Sequence, residues 1–157
     1  MARRLVSAGV RCVTIAHSNW DSHSNVFHVL KGTLLPALDS GVPALLRDLA
    51  DRGMLDTTLI AVMGEFGRTP RVNAQAGRDH WGPSQCLLLA GGCLRGGRVI
   101  GRTNEHGEKP VDDPHGPEDL AATLFHCLKI NPHDEFYTPE GRPVKIVNNG
   151  RVISGLL

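Results

Sequence analysis

The run TLIAVM, residues 58–63, constrains the fold of this 157-residue chain more than any other stretch. It is rich in β-branched and aliphatic residues, it is too short for a helix, and it lacks the alternation of a half-exposed strand. We therefore expect a strand that is buried on both faces, as in the interior of a parallel sheet. Glu65 and Arg68 follow it directly, at the carboxyl end where ligands bind in open α/β sheets.

Two further runs, VRCVTIA (residues 10–16) and QCLLLA (residues 85–90), are also predicted to be strands. Between the first two strands, apolar residues recur at steps of three and four over residues 24–52, which predicts a helix. Pro36 and Pro43 should kink that helix or divide it in two. Alternating strands and helices predict an α/β layered sheet with mainly parallel strands.

The last 40 residues contain one clear helix signal and one turn signal. Pro117 opens a segment with acidic residues in its first turn and apolar residues as far as Ile130, which predicts a helix. Asn149-Gly150 lies between two short β-branched runs near the carboxyl terminus. Because Asn-Gly favours tight turns, we expect a β-hairpin there.

Acidic and imidazole side chains follow each of the first two predicted strands. Asp21 and His23 come after residues 10–16, and a polar loop after Arg68 leads to Asp79-His80. An acid, a cation and an Asp-His pair close together indicate a site for a metal or an anion. The alternatives are structural: a salt bridge between Glu65 and Arg68, a helix cap at Asp21, and Asp79 orienting His80 within its loop.

Composition excludes some functions. The formal net charge is +1, with no basic patch, so we expect no nucleic-acid partner. No run of about 18 continuous apolar residues predicts a membrane span, and no export signal is present, which predicts a cytoplasmic location for the chain as written. The four cysteines, which form no Cys-x-x-Cys pair, are expected to be buried small hydrophobic residues. They are Cys12, Cys86, Cys93 and Cys127.

Five motifs together resemble an uncharacterised, sulfatase-like bacterial family of the alkaline-phosphatase superfamily, in order and spacing along nearly the whole chain. They are NWDSH (19–23), MGEFGRTP (63–70), GRDHW (77–81), LLAGG (88–92) and PEDLAAT (117–123). The resemblance implies the three-layer α/β/α sandwich of that superfamily and hydrolysis of phosphate or sulfate esters at a metal site. The implied partner is a small anionic ester.

The same resemblance implies roles for individual residues. Asp21 and His23 look like the first set of metal ligands, Glu65 looks like the acid of the second, and His80 looks like the last, with Asp79 beside it. Phe66 stands where the family pattern has a histidine. A divalent zinc, manganese, calcium or magnesium ion is implied, with Arg68 binding the anionic substrate. The implied metal ligands are Asp21, His23, Glu65, Asp79 and His80.

In the superfamily, a first strand that carries a metal-binding Asp and a Ser, Thr or modified Cys nucleophile precedes these motifs. Nothing in residues 1–20 stands in for it. We therefore expect residues 1–157 to be the carboxyl-terminal part of one sulfatase-like domain, inactive on its own and exported if such a front segment exists. The alternative is a non-catalytic remnant or binding subunit that keeps the sheet and part of the metal site.

Overall fold

The structure is a computed structural model that describes all 157 residues. The helices are α1 (Ala2–Ser7), α2 (Val26–Val29), a π-helical segment (Leu30–Leu34), α3 (Leu35–Asp51) and α4 (Pro117–Cys127). The strands are β1 (Leu59–Val62), β2 (Gly67–Arg68), β3 (His80–Trp81), β4 (Leu88–Gly91), β5 (Arg102–Thr103), β6 (Pro110–Asp112), β7 (Glu135–Tyr137) and β8 (Pro143–Lys145). The chain also contains two short 3₁₀ turns, Leu55–Thr57 and Ser154–Leu156.

The predicted helix between the first two strand signals is one continuous helical stretch made of α2, the π segment and α3. Pro36 lies in the first turn of α3, so the wider π turn sits where Pro36 has no backbone N–H to donate. The stretch buries Val26, Leu34 and Leu49 against the rest of the chain. The predicted helix is therefore confirmed, with a change of helix type next to Pro36. The predicted division at Pro43 is not found, because Pro43 lies inside α3, which continues to Asp51.

The same stretch, Val26–Asp51, is 26 residues long, and by length and composition alone it is long and apolar enough to cross a membrane. A core helix of a soluble protein and a signal sequence pass the same test. The expectation of no membrane span therefore stays a prediction.

The strands do not form the predicted sheet. They form four separate two-stranded pairs, and every pair is antiparallel. In the longest of these pairs, β1 lies against β4, with Leu59 opposite Gly91 and Val62 opposite Leu88. The predicted three-layer α/β/α sandwich with a mainly parallel sheet is wrong. An apolar run indicates that a strand is present, but its direction depends on which distant segment supplies the hydrogen bonds.

Residues 10–16 are not a strand, although their side chains favour one. Residues 11–16 make no backbone–backbone hydrogen bond, and Ile15 is 69% exposed. β-Branched residues favour a strand because their side chains pack against those of neighbouring strands. Residues 10–16 have no neighbouring strand, so this preference is not realised.

The predicted carboxyl-terminal hairpin is also wrong. β8 pairs with β7 instead, and Asn149 adopts a left-handed backbone conformation, with a φ of 59°. Gly150 packs directly on α4, because a Cβ atom at this position would lie 2.1 Å from the carbonyl oxygen of Glu118. Close packing on a helix, which the Asn-Gly pair does not encode, decides the path of this segment.

Two hydrogen-bonding side chains of α4, Asp119 and Thr123, hold the final residues. Asp119 accepts the backbone N–H of Arg151 at 2.8 Å, and Thr123 accepts that of Ile153 at 3.0 Å. Thr123 is itself fully buried and donates to the carbonyl of Asp119. The tail is thereby fixed to α4 by polar contacts as well as by the buried Ile153.

The expectation of four buried cysteines is wrong. Cys93 and Cys127 form a disulfide that joins the turn after β4 to the end of α4, whereas Cys12 and Cys86 are free and exposed. The two bonded residues are 34 positions apart in sequence, so no short sequence motif predicts that they pair.

Candidate metal centre

The candidate site is built from the β2–β3 hairpin and the loop after residues 10–16. Arg68 and His80 lie opposite each other in the β2–β3 register, so both side chains are fixed to one small ladder. The loop between them returns on itself because Thr69 and Asp79 bond reciprocally: the N–H of Thr69 donates to the Asp79 carbonyl, and the N–H of Asp79 to the Thr69 hydroxyl.

Asn73 organises the hairpin loop and connects it to the second loop. Its side-chain oxygen accepts the backbone N–H groups of Gln75 and Gly77, at 3.0 and 2.8 Å. Its amide nitrogen donates to the His23 carbonyl at 3.0 Å and to the Asp79 carboxylate at 3.2 Å. One side chain therefore positions both loops that carry the candidate ligands.

Gly77 permits the two loops to touch. A Cβ atom at this position would lie 2.0 Å from the carbonyl carbon and oxygen of His23, so no other residue fits without moving the backbone. The adjacent Arg78 N–H donates to the carbonyl of Ser22 at 3.0 Å. The loop bearing Asp21 and His23 is thus laid directly on the hairpin.

Three possible ligand atoms converge where the loops meet. Asp21 Oδ1 lies 2.9 Å from His23 Nε2 and 2.9 Å from His80 Nε2, and the two imidazole nitrogens are 3.2 Å apart. The three side chains are about half exposed, so a small solute reaches them from solvent. Asp21, His23 and His80, which come from different segments of the chain, thus meet at one place.

Asp79 lies behind His23. Its carboxylate is 2.7 Å from His23 Nδ1, and because an ionised carboxylate only accepts, Nδ1 carries the proton and Nε2 faces the cluster. The hydrogen bond to Asp79 raises the pKa of His23, and the bonds from His23 and then Asn73 lower the pKa of Asp79. The resemblance implies that Asp79 is itself a metal ligand, and the structural alternative is that it orients His80. In the structure its carboxylate contacts His23 Nδ1 and is not one of the three converging ligand atoms.

Arg68 donates a short hydrogen bond to Asp21 Oδ1. This bond, followed by the one from His80, lowers the pKa of the Asp21 carboxyl, which is therefore ionised at neutral pH. The structural alternative of a salt bridge between Arg68 and Glu65 is replaced by one to Asp21.

Phe66 packs against the cluster, whereas Glu65 points to solvent without a partner. The Phe66 ring packs on His80, with ring centroids 4.5 Å apart, and lies 5.7 Å from the Arg68 guanidinium. Phe66 therefore fixes the His80 imidazole rather than leaving a position for another ligand. Glu65 is exposed, makes no side-chain hydrogen bond or ion pair, and is not one of the three converging ligands.

The donor set fits a divalent cation. Ligand atoms about 2.1 Å from a metal ion are about 3.0 Å apart along an octahedral edge and about 3.4 Å apart in a tetrahedron. The three observed separations of 2.9, 2.9 and 3.2 Å lie close to this range. Two imidazoles and one carboxylate suit zinc, manganese or iron(II), and the carboxylate behind His23 is the usual support for a metal-bound histidine.

Sequence reasoning missed Asn73 and Gly77, which build the loop contact. The polar stretch NAQAG, residues 73–77, contains the signal, because Asn and Gly favour loops with unusual backbone geometry. The remaining histidines lie outside the cluster: His106 pairs with Glu105, and His115 lies between Asp113 and Asp119.

Comparison with known proteins finds one family and no closer relative. No curated protein and no solved structure matches the chain. Nothing in these comparisons links it to sulfatases or to the alkaline-phosphatase superfamily. A family model matches residues 1–157, the whole chain, and the chain therefore belongs to the family described as protein of unknown function (DUF1501).

Proposed function

We propose that the chain binds a divalent metal ion through Asp21, His23 and His80 and that this site serves a hydrolase of phosphate or sulfate esters. The observation that carries the proposal is the convergence of one carboxylate oxygen and two imidazole nitrogens within 3.2 Å of one another. Such a group, which contains the ionised carboxylate of Asp21, is a site that a cation stabilises.

Each neighbouring side chain has a role in this proposal. Asp79 holds the proton on His23 Nδ1 and so keeps Nε2 free to bind the ion. Arg68 uses one N–H on Asp21, and its guanidinium has further donors that suit the anionic oxygens of a phosphate or sulfate group. A bound divalent ion supplies polarisation of the ester oxygen. The substrate class is thus a small anionic ester.

A second function is favoured by Phe66. Because its ring packs on His80 at the position where the resemblance implies a histidine, the cluster holds three ligands where a two-metal hydrolase needs more. A protein that binds one metal ion and performs no ester chemistry is consistent with this arrangement. Hydrolytic activity, rather than metal binding, distinguishes the two functions.

Metal binding is tested first, on purified protein stripped of metal and titrated calorimetrically with zinc, manganese, magnesium or calcium. We expect one ion per chain, and we expect His80→Ala to weaken binding more than about a hundredfold, since even residues behind a ligand contribute 10- to 100-fold. His106→Ala is the matched control, because His106 pairs with Glu105 outside the cluster. Equal affinity in wild type and His80→Ala would contradict both functions.

Hydrolysis is then measured with p-nitrophenyl phosphate and p-nitrophenyl sulfate, on a protein in which residues 1–157 are joined to a front segment that carries the nucleophile. Turnover that requires the added metal and falls at least tenfold in Arg68→Ala supports the hydrolase. Arg102→Ala is the control, since Arg102 is exposed and lies on a different hairpin. Metal binding without turnover supports the binding protein instead.

A further inference from the structure

The chain exposes far more surface than a folded protein of its size. Its solvent-accessible area is 11184 Å². A monomeric protein of 17.0 kDa exposes about 7,700 Å², so the excess is about 3,500 Å². Ten of the 157 residues are buried, which is a small core for this length. An excess of this size is several times the roughly 800 Å² that each partner buries in a standard interface.

Part of this excess is apolar and lies around the β1–β4 pair. Met63, directly after β1, and Leu88, at the start of β4, are each 47% exposed, and Leu87 is 37% exposed. The sequences of both strands are continuous apolar runs, the pattern of strands covered on both faces. In the isolated chain those faces are only partly covered.

The same region has unpaired backbone. β1 pairs only with β4 and β4 only with β1, so each strand has one open edge. Residues 11–16 have no regular secondary structure and make no backbone–backbone hydrogen bond, and three of them, Val13, Thr14 and Ile15, are β-branched. Val10 and Ile15 are 41% and 69% exposed. An open apolar edge readily accepts a further strand, and here the chain also carries a free segment suited to be that strand.

We propose that two copies of this chain associate, each placing residues 10–16 as an added strand on an open edge of the other copy's β1–β4 pair. The chain contains both the donor segment and the acceptor edge, so the contact is reciprocal and closes as a two-fold dimer. A net charge of +1 leaves little repulsion between copies. The dimer buries the exposed apolar side chains of both elements and pairs their backbone groups.

The test is the molar mass of the purified protein, by light scattering and sedimentation over a concentration series. We expect twice 17.0 kDa for the wild type. Ile15→Lys and Thr14→Pro should each weaken the dimer about tenfold or more, through a buried charge and a lost ladder donor. Neither change disturbs a contact of the isolated chain, because Ile15 is exposed and Thr14 makes no backbone hydrogen bond.

Val99→Lys is the matched control, since Val99 is apolar and 93% exposed but lies outside both elements. A dimer that persists in Val99→Lys and dissociates in the other two variants supports the proposal. A folded monomer at every concentration overturns it. A dimer unaffected by Ile15→Lys and Thr14→Pro, or an open-ended aggregate, overturns it as well. None of these outcomes depends on metal binding or hydrolysis.

Discussion

Asp79 contacts His23 on the side opposite the converging ligand atoms, so it acts on the proposed metal site without belonging to it. Its carboxylate fixes the imidazole orientation and the position of the proton through a 2.7 Å contact. Asn73 in turn holds Asp79, which makes the pair a rigid support. A side chain in this position orients the His23 imidazole and so affects the metal affinity, but it does not change the number of ligands.

We predict that Asp79→Asn weakens zinc binding about 10- to 100-fold while leaving the stoichiometry unchanged, because the three ligand atoms remain but His23 loses its charged support. The measurement is calorimetric titration with zinc. Glu105→Gln is the matched control, since it alters another exposed acid–histidine pair, with His106, outside the site. Unchanged affinity in Asp79→Asn would mean that His23 is not a ligand.

At the scale of single residues, much of the site follows from sequence. Residue types and the family resemblance predicted five ligands, and the fold brings ligand atoms of Asp21, His23 and His80 together but not those of Glu65 and Asp79. They did not identify the partner of each group: Arg68 bonds Asp21 rather than Glu65, and Asp79 bonds His23 rather than His80. Partners separated by about 50 positions depend on how two loops dock, and no local pattern records that contact.

Among the secondary-structure elements, α4 has the best-defined connections. The pKa of the Asp119 carboxyl is lowered from 3.8, chiefly by the backbone N–H of Arg151 and then by that of Gly116. Because the folded-state pKa lies below the unfolded one, the carboxylate stabilises the fold fully above about pH 4. That contribution disappears as the pH falls through the folded-state pKa.

We therefore predict that Asp119→Asn lowers the free energy of unfolding by about 1 kcal/mol at neutral pH, as the loss of a helix cap does. The difference from wild type should shrink as the pH is lowered towards 3, because the wild type then loses its own carboxylate. Urea unfolding of both proteins at several pH values measures this difference in the free energy of unfolding. Glu118→Gln, in the same helical turn, is the control, and a difference that is constant with pH would contradict the prediction.

The disulfide is the only covalent link between elements, and it joins the turn after β4 to α4. Closing a loop of 34 residues restricts the unfolded chain, and we predict that Cys93→Ala/Cys127→Ala lowers the free energy of unfolding by about 3 to 4 kcal/mol. Urea unfolding of oxidised protein tests this. Cys12→Ala/Cys86→Ala, which removes the two free exposed thiols, is the control and should change stability little. Equal midpoints for the two double variants would show that the link is not formed.

At the scale of the whole molecule, the chain combines well-specified local elements with little common core. Its buried apolar side chains come from the long helical stretch and from α4 with the tail, whereas β1 and β4 stay half-covered. The apolar runs of β1 and β4 are thus exposed because the rest of the chain does not cover them, and not because of a feature of either strand. This exposure is the basis for expecting a second copy to complete the structure.

The sequence by itself determined where helices and the main strands occur, and which residue types could form a metal site. Helix periodicity, prolines and apolar runs act within a few residues, so α3, α4 and β1 follow from them. Only the tertiary structure decided that β1 and β4 run antiparallel, that Cys93 bonds Cys127, and that Gly77 lets the two site loops touch. Each of these depends on contact between segments that are distant in sequence, where hydrogen bonding and close packing select the partner.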